Sequence, residues 1–159
     1  MLRSAIASVA VATVLALTAA PAFAGPAENA FLQKLTASWT GRGHLSGAES
    51  GPVACRIVFT GGGQSIKYQG RCSIPDVAAQ AFNGAIIYND QTKRYESRSM
   101  GGTAIGVRHG NSLVFTTKTD SAAGRSYSTM SISPTSLVVD FSIIDQSGDK
   151  TTSRITFSK

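Results

Sequence analysis

The sequence predicts an all-β fold: an antiparallel up-and-down barrel of about ten strands, with a short N-terminal capping helix and one disulfide. Three observations carry this. From Trp39 onward, short runs rich in Val, Ile, Thr, Tyr and Phe alternate polar with apolar residues. Breaks rich in Gly, Asn, Asp and Ser divide them closely, and such short connections make neighbouring strands antiparallel. The two cysteines, Cys55 and Cys72, fall where two adjacent strands can bring them opposite each other.

Residues 1–24 read as an address. Met1-Leu2-Arg3 gives a positive start, Ala5 to Ala20 is small and apolar, and Pro21 breaks that run. Ala22-Phe23-Ala24 offers small residues at the −3 and −1 positions of a cut before Gly25. This is the layout of a secretory signal peptide, so residues 25–159 are expected to be one exported domain, periplasmic or secreted. No later stretch is long and apolar enough to be a spanning helix. An oxidising compartment favours joining Cys55 to Cys72. In the chain-entropy view, closing the loop between them contributes about 3 kcal/mol.

Pro26 to Leu35 has the marks of a brief helix. Pro26 suits its first position, Glu28 its positive end and Lys34 its negative end, and Phe31, Leu32 and Leu35 share a face. A helix this short does not hold alone in water, so that face must dock. Strands are expected near 39–46, 53–60, 65–72, 81–89, 94–100, 103–108, 113–119, 125–133, 136–145 and 151–158. That many strands in one sheet must curl, and closure removes exposed edges. The rival is a two-sheet sandwich.

One hairpin can be placed in register. Val53, Cys55, Ile57 and Phe59 share one face of their strand, and Ile66, Tyr68, Gly70 and Cys72 share one face of the next. Pairing Cys55 with Cys72 puts Ile57 opposite Gly70 and Phe59 opposite Tyr68, with all the large apolar side chains of those faces on one side. A slip of one residue would turn a strand inside out. The same register opposes Arg56 and Arg71 on the outer face, and like charges directly across a pair are unfavourable. Glu49 or Glu96 on a neighbouring element, open solvent, or an anion bound by Arg56 and Arg71 with Lys67 nearby would offset them.

The stretch Leu35-Thr36-Ala37-Ser38-Trp39-Thr40-Gly41-Arg42-Gly43 and the closing Ser153-Arg154-Ile155-Thr156-Phe157, set in a helix-then-meander layout, resemble the calycin group of lipocalins and fatty-acid-binding proteins. Lipocalins usually carry Gly two residues before that Trp; here it is Ala37. The resemblance implies that Trp39 packs at the closed end of the barrel, with Arg154 as a candidate partner. Trp39, Leu45 to Glu49 and Cys55-Arg56-Ile57 also resemble secreted bacterial metalloprotease inhibitors, small barrels whose leading residues enter the protease cleft. Here those would be Gly25 to Glu28.

Composition narrows the function. There is no P-loop, no G-x-S-x-G and no visible pair of catalytic carboxylates, and two Cys with two His build no zinc ribbon. His44 has the parity opposite to Trp39 and is expected to point outward, while His109 lies in a turn. No Ser is paired by spacing with either His, so no enzyme activity and no cofactor are expected. The net charge of +6 is spread over many strands rather than gathered in a nucleic-acid-binding run. The expectation is a non-enzymatic exported barrel binding a small apolar ligand. Its candidate liners are Ile57, Phe59, Tyr68, Ile86, Tyr88, Phe115, Phe141 and Phe157, with Arg154 available to a ligand acid group if it turns inward. The alternative is a filled scaffold acting as a protease inhibitor or cell-envelope interaction protein.

Overall fold

The structure, a computed structural model, describes residues 25–62, 64–74 and 77–159. The signal-peptide reading falls on residues 1–24, outside the described residues. One helix, α1 (Gly25–Gln33), precedes ten strands. They are β1 (Ala37–Gly47), β2 (Gly51–Gly62), β3 (Ser65–Ile74), β4 (Val77–Asn89) and β5 (Arg94–Ser99). There follow β6 (Gly102–His109), β7 (Ser112–Ser121), β8 (Gly124–Ile132), β9 (Leu137–Asp145) and β10 (Lys150–Ser158). Each strand pairs antiparallel with its chain neighbours, and β1 pairs with β10, closing the barrel and excluding the sandwich.

The β2–β3 register is the one the binary pattern requires. Cys55 opposes Cys72, Ile57 opposes Gly70, Phe59 opposes Tyr68, and Arg56 opposes Arg71. The two cysteines form a disulfide, with Cα atoms 4.1 Å apart.

The barrel is filled at one end. Phe31 and Leu32 of α1, with Leu35 just beyond it, are buried in one core cluster with Trp39, Phe59, Ile66, Ile86 and Leu113. After Gln33 the chain leaves the helix through Lys34, Leu35 and Thr36, whose N–H groups donate to carbonyls three residues back. Glu28 pins the helix to the wall: it accepts from the Tyr95 hydroxyl and pairs with Arg108, 3.1 Å away. The Arg108 guanidinium also lies 3.9 Å over the Phe31 ring. Trp39 sits at this closed end, as the resemblance implies. The cation beside its ring is Lys159, however, and Arg154 is elsewhere.

Four aromatic side chains pack against glycines on the neighbouring strand. The registered pairs are Phe157 with Gly41, Phe82 with Gly70, Tyr68 with Gly84, and Phe115 with Gly106. At each glycine a Cβ atom would come within 2.3–2.6 Å of that ring. A missing side chain on one strand therefore seats a large one from the next, and the rings fold onto the wall rather than across the interior.

Candidate functional site

Towards the end away from α1, the interior stops being apolar and stops being closed. Inward registers there are occupied by Ser97, Ser99, Thr117, Thr119, Ser126 and Ser128. Two large apolar side chains at inward registers remain open to solvent, Phe82 at 36% and Ile143 at 45% exposure. A packed interior would bury both, so this end is a mouth.

The wall also parts on one side. β6 and β7 are hydrogen-bonded only from Gly106 opposite Phe115 to His109 opposite Ser112. Beyond Gly106 the two strands diverge: Gly102–Ile105 pair with β5 alone, and Thr116–Ser121 with β8 alone. The split opens a cavity of about 550 Å³ into the lumen. Tyr68, Phe82, Phe115, Met130 and Val139 supply its apolar wall, and Ser97, Ser99, Thr117 and Ser128 its hydroxyls. The inward positions of β6 are Gly102, Ala104 and Gly106, small side chains that leave this space unfilled. Tyr68 and Ser97 share a hydroxyl–hydroxyl hydrogen bond of 3.1 Å across the cavity wall. Farther round, the buried Ser153 hydroxyl, at an inward register between Leu45 and Phe141, has no partner among the described residues.

The electrostatics of the lumen are simple. Among the described residues, the charged side chains at inward registers are Arg108, spent on Glu28 at the closed end, and Asp145 at the rim. Asp145 is held below the usual carboxylate range, first by the Ser147 hydroxyl that donates to it. Lys118 also lines the cavity, but it is half-exposed and 3.2 Å from Asp120, so the lumen offers hydrogen bonds and apolar contact and no buried, unpaired counter-charge for an ionised ligand.

Of the expected liners, Tyr68 and Phe115 line the cavity. Ile57, Phe59, Ile86 and Phe157 face inward but are packed into the core. Phe141 faces inward and is half-buried. Tyr88 does not reach the cavity; it stacks edge-on with Tyr95, ring centroids 5.1 Å apart, beside the α1 latch. Burial pushes its phenol up, and Glu28 and Asp90 add to the shift. Arg154 does not turn inward. It stands on the outer face opposite Asp140 and bonds both of that carboxylate's oxygens, at 3.1 and 3.2 Å, so it is not available to a ligand in the lumen. Its parity explains this: Ser153 and Ile155 take the inward positions on either side.

His44 is exposed on the outer face, within 3.4 Å of the Ser50 hydroxyl, and His109 is exposed at the β6–β7 turn. Neither reaches the lumen. The described residues include no group of three or more His, Cys, Asp or Glu placed to hold a metal ion. Nor do they form a long apolar helix able to cross a membrane. The segment Gly25–Glu28, which the inhibitor resemblance would send into a protease cleft, is the first turn of α1. Its Gly25 is buried and its Glu28 is tied to Tyr95 and Arg108, so it is no free arm.

Sequence reasoning missed Phe82, Met130, Val139 and the β6–β7 split. A signal was present. On β6 the apolar Ile105 and Val107 alternate with Gly102, Ala104 and Gly106, and it is the small set that faces inward. Judged by hydropathy alone the strand would be placed inside out.

No family model matches the sequence, and no curated protein matches it. The fold does have solved neighbours. The S-type phycobiliprotein lyase CpeS from Guillardia theta superposes with a TM-score of 0.58 at 14% identity, over 82% of this chain and 90% of that one. Rv2717c from M. tuberculosis superposes with a TM-score of 0.54 at 14% identity, over 84% and 98%. At this identity the likeness is one of fold: a closed, lipocalin-like antiparallel barrel.

Proposed function

We propose that this calycin-like barrel is an exported, non-enzymatic binding protein. Its ligand is small, largely apolar and uncharged, and it enters the lumen by the mouth and the split between β6 and β7. The observation that carries this reading is the cavity of about 550 Å³, apolar on one side and hydroxylated on the other. That volume is in the range of small-molecule sites, and the mixed lining is their usual chemistry. The apolar part of the ligand packs on Phe115, Met130 and Val139, while carbonyl or hydroxyl groups meet Ser97, Ser99, Thr117 and Ser128. The neighbour named as a phycobiliprotein lyase supports a barrel of this kind as a host for small molecules. Export rests on the signal-like residues 1–24 and on the single disulfide.

Native mass spectrometry of the purified mature protein, with a panel of neutral lipids, aromatic compounds and haem, tests the reading. A retained neutral apolar mass with a matching thermal shift is expected. Retention of none, with no thermal shift, overturns it.

A further inference from the structure

The outer face of β1–β4 takes no part in lumenal binding, and its charge is one-sided. These four strands contain no Asp or Glu, while Arg42, Arg56, Lys67 and Arg71 project from them. Arg56 and Arg71 are directly opposed across β2 and β3. Neither forms an ion pair with a described residue. Glu96, named from the sequence as a counter-charge, is taken by Arg98 and Asn89, and the Glu49 carboxylate forms no ion pair with a described residue. Two like charges thus face each other with no ion-pair partner among the described residues, an arrangement that disfavours the strand pairing.

The surroundings of that pair have a definite chemistry. Arg56, Val58, Gln69, Arg71, Ala81 and Asn83 line a groove of about 340 Å³. Gln69 and Asn83 oppose each other across β3 and β4. Val58 and Ala81 give it an apolar part, and none of the described residues lining it is a carboxylate. Two guanidinium forks and two carboxamides, without an internal partner among the described residues, make a site of N–H donors. One fork satisfies the two oxygens of a carboxylate; two forks with added amides match a group carrying three or more acceptor oxygens. We propose that this groove binds a phosphate group, clamped by Arg56 and Arg71 and hydrogen-bonded by Gln69 and Asn83. Lys67, expected beside the pair, instead lies opposite Thr60 in the adjoining groove with Arg98, so it adds field rather than contact.

The test uses the full mature protein. Thermal unfolding is followed against inorganic phosphate and against chloride at matched ionic strength. A saturable rise in Tm with phosphate, absent with chloride, is expected. Arg71→Gln should weaken that response by about tenfold or more, since it removes charge-assisted bonds. In low-salt buffer without phosphate, Arg71→Gln should be at least as stable as the wild type, because the opposed charges are relieved. Vesicles of phosphatidylglycerol and of phosphatidylcholine separate the sources. Arg71-dependent retention on the anionic vesicles alone identifies a lipid headgroup, and a response to soluble phosphate without retention identifies a free phosphate. Equal responses to phosphate and chloride with no vesicle retention overturn the proposal. So does a phosphate or vesicle response that survives in the Arg56→Gln/Arg71→Gln double variant.

Discussion

Gly106→Ala is the sharpest perturbation of the way this barrel keeps its lumen open. Gly106 is buried, and its backbone does not require positive φ, so alanine suits the strand itself. The obstacle is steric. An added Cβ would lie 2.6 Å from Phe115 Cε1, 2.8 Å from Cζ and 3.0 Å from Leu113 Cδ1. The Phe115 ring must lift off the wall and move toward the cavity it lines. Overpacking of this kind costs about 1–3 kcal/mol. Replacing a strand glycine returns roughly 0.5–1 kcal/mol of backbone entropy. The net expectation is a loss centred near about 1 kcal/mol, within a span of roughly 0–2.5, and a domain of this size should lose roughly 3–5 °C of Tm per kcal/mol. Urea unfolding of the wild type, Gly106→Ala, Phe115→Leu and the double variant measures it as a cycle. A coupling of at least about 1 kcal/mol is expected, because the shorter side chain no longer meets the new methyl. Ligand affinity in Gly106→Ala should fall as the displaced ring takes up cavity space. Strict additivity in the cycle refutes the idea that rings seated on glycine shape the lumen.

Three further outcomes are expected. Replacing Cys55 and Cys72 together with Ser should cost about 3 kcal/mol, read as a drop in Tm of roughly 10 °C; a variant as stable as the wild type would mean that the link constrains little. Glu28→Gln should release α1, since it removes the Arg108 pair and weakens the Tyr95 contact. Amide exchange should then rise in α1 well ahead of β2 and β3, for a global loss of only about 0.5–1 kcal/mol. The third concerns acid stability. Glu96 is 7% exposed, and its carboxyl is held below the usual carboxylate range, first by Arg98 and then by Asn89. A lowered folded pKa gives stability that is present above the unfolded value and lost as pH falls through the folded one. Arg98→Gln should therefore flatten the acid limb of stability below the ordinary glutamate value of about 4.3, as read from urea midpoints. An unchanged limb would mean that Glu96 is not a principal source of it.

Much of the barrel was legible because period-two alternation and turn residues are local signals. In the β2–β3 hairpin those signals and the cysteines agree on one register, and the structure has it. The site was less legible, for two reasons. β6 breaks the rule that apolar residues face inward: Ile105 and Val107 are exposed because the strand's inner face must stay small beside Phe115. The β6–β7 split is a loss of pairing, and no residue type announces that. Arg154 shows the reverse case. Its outward parity becomes fixed only when β10 is registered against β9, a long-range fact that brings Asp140 opposite it. The opposed Arg56 and Arg71 were legible from a single hairpin; Gln69 and Asn83 joined them only once β4 was placed.

Methyl NMR tests the open lumen most directly, because two of the three methionines fall at informative places. Met130 lines the cavity, whereas Met100, at 98% exposure in the β5–β6 turn, lies on the surface. With both methyls labelled, titration of a neutral apolar ligand found by mass spectrometry should move the Met130 signal saturably. The Met100 signal should move little. Ala104→Trp, which fills the small inner face of β6, should weaken the Met130 response by about tenfold or more while strand content by circular dichroism is kept. A Met130 signal that stays fixed while the ligand binds, or that responds equally in Ala104→Trp, would contradict a ligand site inside this barrel.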